Sequence, residues 1–203
     1  TKAATSTTDN FVLRFSGAKF VTFKNMTMIA TNASYSTVVV MSSGDNTIQN
    51  CELVGVAGAS TSSNNYVVNC PTGTNHNLSL INCGIRNGSY GIYAYGSSTT
   101  STMNNLRVEN CEITGSYYFP VYCYYVGEVK FIGNKVVQNS AYATKYLAYF
   151  MYGFNSVIER NTFLSDGGSS GYGIYIYYDN YYQAGMSRIV NNMITIRNCT
   201  NVY

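Results

Sequence analysis

Charged residues are scarce in this chain. Lys and Arg contribute 12 of the 203 residues and Asp and Glu contribute 9, so charged residues make up 10%, well under the roughly 25% of an average globular domain. Proteins that bind nucleic acid carry a strongly basic domain or stripe, whereas the basic residues here are few and scattered. We therefore expect no nucleic-acid partner.

Long apolar runs and good helix formers are also lacking. A transmembrane helix needs about 20 consecutive apolar residues, and the runs here are only a handful long, so we expect no membrane insertion. Abundant Tyr, Val and Thr favour strands, while Gly, Asn and Ser are poor or middling helix formers. With 46% hydrophobic residues the chain can bury a core. We predict one all-β domain over residues 1–203, in which residues 1–10 are a polar N-terminal extension.

A short motif recurs along the chain: apolar, any, Asn, small or polar, any, apolar. Its copies begin at Phe23, Ile48, Leu80, Val108, Ile132, Ile158 and Ile189, and Arg160 replaces Asn in the sixth copy. The Asn column is therefore Asn25, Asn50, Asn82, Asn110, Asn134 and Asn191, and with Arg160 included its positions are 24 to 32 residues apart. Strand-like Val- and Tyr-rich segments with Gly and Ser clusters lie between the copies, as in Gly91–Tyr95.

A repeat of this length, made of short strands, predicts a parallel β-helix of about seven coils, 24–32 residues each, with coils stacked about 4.8 Å apart. The first apolar position of each motif, Ile132 included, then forms one inward column, and Met28, Leu53, Ile85, Ile113, Val137, Phe163 and Ile194 form another. Asn suits the bend between two strands because it tolerates left-handed geometry and bonds nearby backbone. Neither end of the chain resembles a cap, so we expect flanking β-helix coils of a longer chain as partners.

The motifs Ile-x-Asn-Asn/Cys-x-Ile and the strand Gly173-Ile174-Tyr175-Ile176-Tyr177-Tyr178 resemble the repeats of right-handed parallel β-helix proteins, the pectin-lyase-like fold. More narrowly, they are similar to β-helix regions of large secreted or cell-surface bacterial proteins rich in Asn, Ser, Thr and Tyr. The resemblance implies a secreted or cell-surface location in a bacterium. The fold hosts polysaccharide lyases, hydrolases, adhesins and passive stalks, so it does not by itself define a function.

Cys51, Cys83 and Cys111 occupy the same motif position on three successive coils. Adjacent stacked cysteines would lie within disulfide reach. The alternative, which we favour, is an inward column of free thiols that act as small hydrophobic side chains. No Cys-x-x-Cys pair exists, and His76 has no acidic neighbour in sequence, so we expect no metal and no cofactor.

The carboxylates are too far apart to form the clusters that lyases and hydrolases of the pectin-lyase-like fold would need. Glu52 and Glu112 share a column but are two coils apart, with Gly84 between them, slightly beyond the separation of an inverting glycosidase pair. Glu109 and Glu112 flank one bend, where a solvated surface pair is the simpler interpretation. We name no catalytic residue and lean against an enzyme.

Tyrosines alternate with inward residues in the strand segments, so the sequence predicts an exposed aromatic ladder. Its members are Tyr93, Tyr95, Tyr122, Tyr124, Tyr149, Tyr175 and Tyr177. The rings either stack on each other to protect the sheet or bind a glycan or another surface protein. The predicted function is a non-catalytic structural or adhesive β-helix segment with this ladder as contact face; the alternative is a polysaccharide-binding or polysaccharide-degrading β-helix protein.

Overall fold

The computed structural model describes residues 1–73 and 75–203. One 3-10 helix, Thr7–Asp9, precedes 24 short strands, and all strand pairs are parallel. The chain visits three sheets in turn and returns to the first, so that each circuit is one coil stacked on the coil before it. The prediction of an all-β parallel solenoid of about seven coils is confirmed.

Sheet A contains the first strand of every coil. In stacking order its strands are β1 (Leu13–Phe15), β4 (Val39–Met41), β7 (Tyr66–Cys70), β10 (Tyr90–Tyr95), β14 (Phe119–Tyr124), β18 (Thr144–Met151), β21 (Ser170–Tyr177) and β24 (Asn201–Val202). A two-stranded sheet of β11 (Met103–Asn104) and β15 (Val126–Gly127) follows β10 and β14 at the corner.

Sheets B and C complete each coil on either side of the Asn bend. Sheet B contains β2 (Thr22–Lys24), β5 (Thr47–Gln49), β8 (Ser79–Ile81), β12 (Arg107–Glu109), β16 (Lys130–Ile132), β19 (Val157–Glu159) and β22 (Arg188–Val190). Sheet C contains β3 (Thr27–Ile29), β6 (Glu52–Val54), β9 (Gly84–Arg86), β13 (Glu112–Thr114), β17 (Lys135–Gln138), β20 (Thr162–Asp166) and β23 (Met193–Arg197).

The core lies along the axis, where the three sheets face each other. Ile48, Leu80 and Ile158 from sheet B and Leu53 and Ile85 from sheet C are at most 1% exposed. Equivalent apolar residues of successive coils stack directly on each other. Each residue of a column is therefore buried mainly by its neighbours in the adjacent coils.

The Asn bend between sheets B and C is left-handed in every coil. The φ angles of Asn25, Asn50, Asn82, Asn110 and Asn191 lie between 53° and 59°, and Arg160 takes the same conformation at 56°. The amide Nδ2 of Asn50 donates to Oδ1 of Asn25 at 3.2 Å, and Nδ2 of Asn82 donates to Oδ1 of Asn50 at 3.1 Å. Asn is favoured here because a short polar side chain tolerates this conformation and bonds along the stack.

The fifth coil differs from the prediction by one residue. Phe131 pairs with Val108 and is fully buried, whereas Ile132 pairs with Glu109 on the outer side. The bend position is therefore Gly133, with φ 67°, and not Asn134. A one-residue shift exchanges the two faces of a strand, so the predicted register would have exposed Phe131, and Gly adopts the left-handed bend without strain. By the same shift Val136, not Val137, is the inward residue of sheet C.

The two ends of the stack are covered differently. Residues 1–10, predicted to be a polar extension, lie against the first coil: the amide of Lys2 donates to the carbonyl of Ile29 at 2.9 Å, and Ala4 is buried. At the other end Ile189 and Ile194 keep their predicted columns on the last strands of sheets B and C, and each is 46% exposed.

Candidate functional site

The outer surface of sheet A is covered by aromatic side chains, and we call this surface the tyrosine face. Strand pairing aligns its rings in columns along the axis. The first column is Tyr66, Tyr90, Phe119, Tyr146, Tyr172 and Tyr203; the second is Tyr93, Tyr122, Tyr149 and Tyr175; the third is Tyr95, Tyr124, Met151 and Tyr177; the fourth is Tyr125, Tyr152 and Tyr178.

Rings within a column stack nearly parallel, except that Tyr66 meets Tyr90 at 66° and stacks on Tyr93 of the second column. In the second column, Tyr122 lies 5.4 Å from Tyr93 and 5.0 Å from Tyr149, with interplanar angles of 2° and 3°. Tyr95 and Tyr124 of the third column are 5.0 Å apart at 3°. These centroid distances fall within the range of favourable aromatic pairs. One ring per coil at the same strand position therefore produces continuous stacks.

Neighbouring columns also contact each other. Most contacts between the first and second columns and between the third and fourth are edge to face, whereas the second and third columns meet nearly parallel, as in Tyr93 and Tyr95 at 5.9 Å and 14°. Tyr146 of the first column meets Tyr149 of the second at 5.4 Å and 87°, and Tyr124 of the third meets Tyr152 of the fourth at 5.3 Å and 71°. In the third column Met151 takes the place of a ring, and the Tyr149 hydroxyl lies 3.2 Å from its sulfur. The tyrosine face is thus one connected surface.

The seven ladder residues point outward, but they are less exposed than predicted. Ile92 and Ala94 beside them are fully buried in the core, while Tyr93 and Tyr95 are half-buried. Among the seven, only Tyr177 counts as exposed, at 37%. The rings stack face to face along the columns, so their faces are largely covered. A binding role for the ladder stays a prediction.

Several phenols of this surface have pKa values raised above the usual range. Burial raises the pKa of Tyr122, and burial together with the nearby Tyr172 phenol raises the pKa of Tyr146 to about 12. At the edge of the face, a hydrogen bond with Tyr178 raises the pKa of Tyr177 to about 12. At neutral pH the tyrosine face therefore offers uncharged hydroxyl groups that can both donate and accept hydrogen bonds.

Two of the four columns were missed from the sequence. The first column was missed because strict alternation places Tyr90 on the side of buried Ile92, whereas its ring contacts Tyr93 at 5.4 Å. The pairing of β10 with β14 skips the position between Tyr90 and Ile92, which is Gly91 in β10 and Pro120 in β14. An aromatic residue three positions before each second-column tyrosine, as in Tyr90 and Tyr93 or Phe119 and Tyr122, is the pattern that could have revealed it.

The fourth column was missed because its residues follow the strands. Tyr125, Tyr152 and Tyr178 have φ angles of 55°, 54° and 51°, a conformation uncommon for bulky side chains. Their rings nevertheless stack, with Tyr152 and Tyr178 5.4 Å apart at 4°. Aromatic stacking thus accompanies a left-handed backbone conformation that is mostly adopted by Asn or Gly at the bends between sheets B and C.

The carboxylates considered for catalysis are held in ion pairs. Arg86 lies between Glu52 and Glu112, with nitrogen–oxygen distances of 3.4 Å and 2.6 Å, and Lys135 approaches Glu112 at 2.7 Å. These cations lower the pKa of Glu112, the Lys135 contact most. Gly84 leaves room for Glu52, since a Cβ there would lie 2.1 Å from its carboxylate oxygen. A carboxyl held ionised in this way is a poor general acid.

Glu109 does not join that group. It faces outward from sheet B and accepts a hydrogen bond from Arg107 at 2.6 Å, an interaction that lowers its pKa. Across the bend, Glu112 belongs to sheet C. Within residues 1–73 and 75–203, no group of His, Cys, Asp and Glu is arranged to hold a metal ion.

Cys51, Cys83 and Cys111 form a buried column of free thiols, each 2% exposed. The amide of Cys83 donates to Sγ of Cys111 at 3.4 Å, and burial raises the pKa of Cys51. The three thiols thus occupy the inward side of the bend on successive coils.

The thiol column continues as a column of buried amides, and this is where Asn134 belongs. Oδ1 of Asn134 accepts from the amide of Cys111 at 2.8 Å, and Oδ1 of Asn161 accepts from the amide of Asn134 at 2.8 Å. Asn161 in turn bonds Oδ1 of Asn192 through its amide at 3.0 Å. Asn134 therefore satisfies backbone donors inside the bend instead of lying on its outer side.

His76 and Asp45 stabilise the corner between sheets A and B. Nδ1 of His76 accepts a hydrogen bond from the amide of Asn104 at 3.0 Å, and Nδ2 of Asn77 donates to Asp45 at 2.7 Å. Both groups thus have structural partners one coil away.

Three parallel sheets wound as successive coils define the class of this protein as a β-helix. The family model for the right-handed β-helix region matches residues 71–202, about two thirds of the chain, and the chain belongs to that family. Comparison with curated proteins and with solved structures yields no match in either set. Of the helices described, none is long and apolar enough to cross a membrane.

Proposed function

We propose that this chain is a rigid structural and adhesive segment of a secreted or cell-surface bacterial protein, with the tyrosine face as its contact surface. The location is supported by the resemblance of its Asn-, Ser-, Thr- and Tyr-rich repeats to such proteins. The observation that carries the contact role is the continuous aromatic cover of sheet A, which extends from Tyr66 on β7 to Tyr203 beside β24. An aromatic patch of this extent is unusual on a surface without a partner.

The chemistry of the tyrosine face favours a glycan as the bound partner. Ring faces are occupied by their neighbours, so sugar contact along the columns relies on ring edges and on rows of phenol hydroxyls, which Phe119 interrupts in the first column and Met151 in the third. Neutral hydroxyls suit a ligand that is itself rich in hydroxyls. Free ring faces occur at the margin, where Tyr181 and Tyr182 are 68% and 54% exposed and can stack on a sugar ring.

Rigidity is the second part of the proposal. Each internal coil is hydrogen-bonded to a coil on both sides in all three sheets, and seven coils at about 4.8 Å extend roughly 30 Å. We also propose that the exposed face formed by β22, β23 and β24 pairs with a further parallel β-coil. It presents free strand edges and the apolar columns of Ile189 and Ile194 in the register that every internal coil uses.

A glycan array, followed by pull-down with soluble polysaccharides, tests the contact role. The paired substitution Tyr122→Phe with Tyr149→Phe keeps the rings and removes two hydroxyls. We expect it to weaken binding about tenfold, or 1.4 kcal/mol. Replacing Tyr93 and Tyr122 by Ala is expected to abolish binding.

The matched control removes two hydroxyls from the outer surface of sheet B, by Thr47→Val with Ser79→Ala. It should leave binding unchanged. Binding that is lost equally in the control, or that survives all tyrosine substitutions, would contradict the contact role. If no glycan binds, another surface protein becomes the candidate partner or the stalk role stands alone.

The alternative, a polysaccharide-degrading enzyme, has less support. Glu52 and Glu112 share Arg86, and neither faces a second carboxylate across a space for substrate. Measured cleavage of polygalacturonate or alginate with added Ca²⁺ would overturn the non-catalytic part of the proposal.

A further inference from the structure

We propose that the tyrosine face is a site of oxidative cross-linking, in which a peroxide acting through a peroxidase joins tyrosines of adjacent coils as dityrosine. The inference does not rest on the proposed glycan contact. It rests on the placement of phenol rings at equivalent positions of successive parallel strands. Such a link would join two coils covalently without requiring the backbone to move far.

The stacked pairs bring the coupling carbons together. Tyr122 and Tyr149 lie 5.0 Å apart at 3°, and Tyr95 and Tyr124 have the same distance and angle. Tyr146 and Tyr172 are closer still, 4.3 Å apart at 9°. Parallel rings on paired strand positions place the carbon next to one hydroxyl beside its equivalent on the next coil. Edge-to-face pairs direct the edge of one ring at the face of the other instead.

The chemistry balances with peroxide as the oxidant. Each of two phenols loses one electron and one proton and becomes a phenoxyl radical, while the peroxide takes up two electrons and two protons and is reduced to two waters. The radicals couple through a carbon–carbon bond between the ring positions adjacent to the oxygens. The two ring hydrogens at those carbons then transfer to the oxygens, which restores both phenols.

The composition and burial pattern direct oxidation to this surface. The chain has 21 Tyr and no Trp, and five of its six cysteines are buried, with Cys199 partly exposed. Tyr177, Tyr178 and Tyr203 are exposed members of the columns, 37%, 40% and 68% accessible, and Tyr178 stacks on Tyr152 at 5.4 Å. A radical formed there can exchange with like rings through the contacts of the columns, because its neighbours are chemically equivalent.

Tryptic cleavage separates the coils, so peptide mapping can locate the links. Cleavage at Arg107, Lys130, Lys145 and Arg160 places Tyr122 and Tyr149 in different peptides, 108–130 and 146–160. After treatment with peroxidase and hydrogen peroxide, we expect a covalent pair of these peptides that is lighter than their sum by two hydrogens and shows dityrosine fluorescence. Its yield should not depend on protein concentration and should be lost in urea.

The loop pair Tyr181 and Tyr182 provides the opposing outcome. These rings are 4.8 Å apart but edge to face at 78°, and they are more exposed than any second-column tyrosine. If the accessibility of a tyrosine, rather than its stacking, determines where dityrosine forms, the link will appear inside peptide 161–188 or between molecules. A link between molecules would have a yield that depends on protein concentration. Either result in place of inter-coil links would overturn the proposal.

Two double variants test adjacency with equal numbers of phenols. Tyr93→Phe with Tyr149→Phe leaves Tyr122 and Tyr175 two coils apart, and links within the second column should vanish. Tyr93→Phe with Tyr122→Phe leaves Tyr149 and Tyr175 adjacent, at 5.0 Å, and their link should persist. Both variants keep every ring, so loss of folding does not account for a difference. A Tyr122–Tyr175 link in the first variant would contradict the requirement for adjacent stacking.

Discussion

Sheets A and C belong to the same coils and obey the same stacking rule, but their outer surfaces are built oppositely. On sheet A, like residues stack on like, as in Tyr93, Tyr122, Tyr149 and Tyr175. On sheet C, Glu52 and Glu112 share a column but Gly84 separates them, Lys135 follows Glu112, and the Arg86 side chain from the neighbouring column bridges the two carboxylates. Parallel in-register stacking places equivalent side chains next to each other. This stabilises a column of neutral aromatic rings and destabilises a column of like charges.

The largest effect should come from removing a ring inside a stack. Tyr149→Ala removes two stacking contacts and part of a buried ring, and we expect it to lower the free energy of unfolding by about 2–3 kcal/mol. Urea denaturation with an unchanged m-value measures this. The control Tyr181→Ala, at a 68% exposed loop position, should cost less than about 0.5 kcal/mol. Equal losses would show that the stacks do not stabilise the solenoid.

Alkaline pH should weaken sheet A before it affects sheet C. The folded-state pKa of Tyr146 is raised to about 12 from 10.0, so its contribution is fully present below pH 10 and is lost as the pH rises toward 12. The differential is of the order of 1–2 kcal/mol. Stability measured against pH for Tyr146→Phe and the parent chain checks this. Parallel curves above pH 10 would argue against the assignment.

Reversing a charge on sheet C should have a smaller effect. Arg86→Glu places three carboxylates together and should destabilise the chain by about 1 kcal/mol, because these groups are partly exposed and screened. The loss should shrink at high salt. Arg86→Met removes the charge alone and serves as the control. A loss that is insensitive to salt would indicate packing rather than charge.

Removing one hydroxyl should have the smallest effect on stability. Tyr122→Phe keeps both ring contacts, and we expect a change within about 0.5 kcal/mol. Its urea midpoint should match that of the parent chain. A clear loss would mean that the Tyr122 hydroxyl stabilises the fold and is not reserved for external contacts.

Much of the fold was predictable because stacking repeats a local pattern. The Ile-x-Asn motif revealed coil length, the Asn bends and most of the inward columns, as at Ile85 and Ile113. It failed in the fifth coil, where Phe131-Ile132-Gly133-Asn134 offers two registers to the same motif. Only the packing of Phe131 against Val108 and Ile158 decided between them.

Candidate site residues were predictable only where the strands are regular. Alternation placed Tyr93 and Tyr122 on the outer side, but it could not place Tyr90, whose strand pairing skips a position, or Tyr125, which lies in a left-handed bend. Nor could it show that the rings would stack and hide their faces, since rotamers depend on neighbours from the coils above and below.

The sequence by itself determined the parallel β-helix, the coil length and the position of the bends, because each of these follows from local conformational preference repeated at a regular interval. Tertiary structure alone decided the register of the fifth coil, the joining of four aromatic columns into one surface and the ion pairing that holds Glu52 and Glu112. These depend on side chains about one coil apart in sequence that meet only when coils stack. There packing volume and charge, rather than local preference, determine which arrangement has the lower free energy.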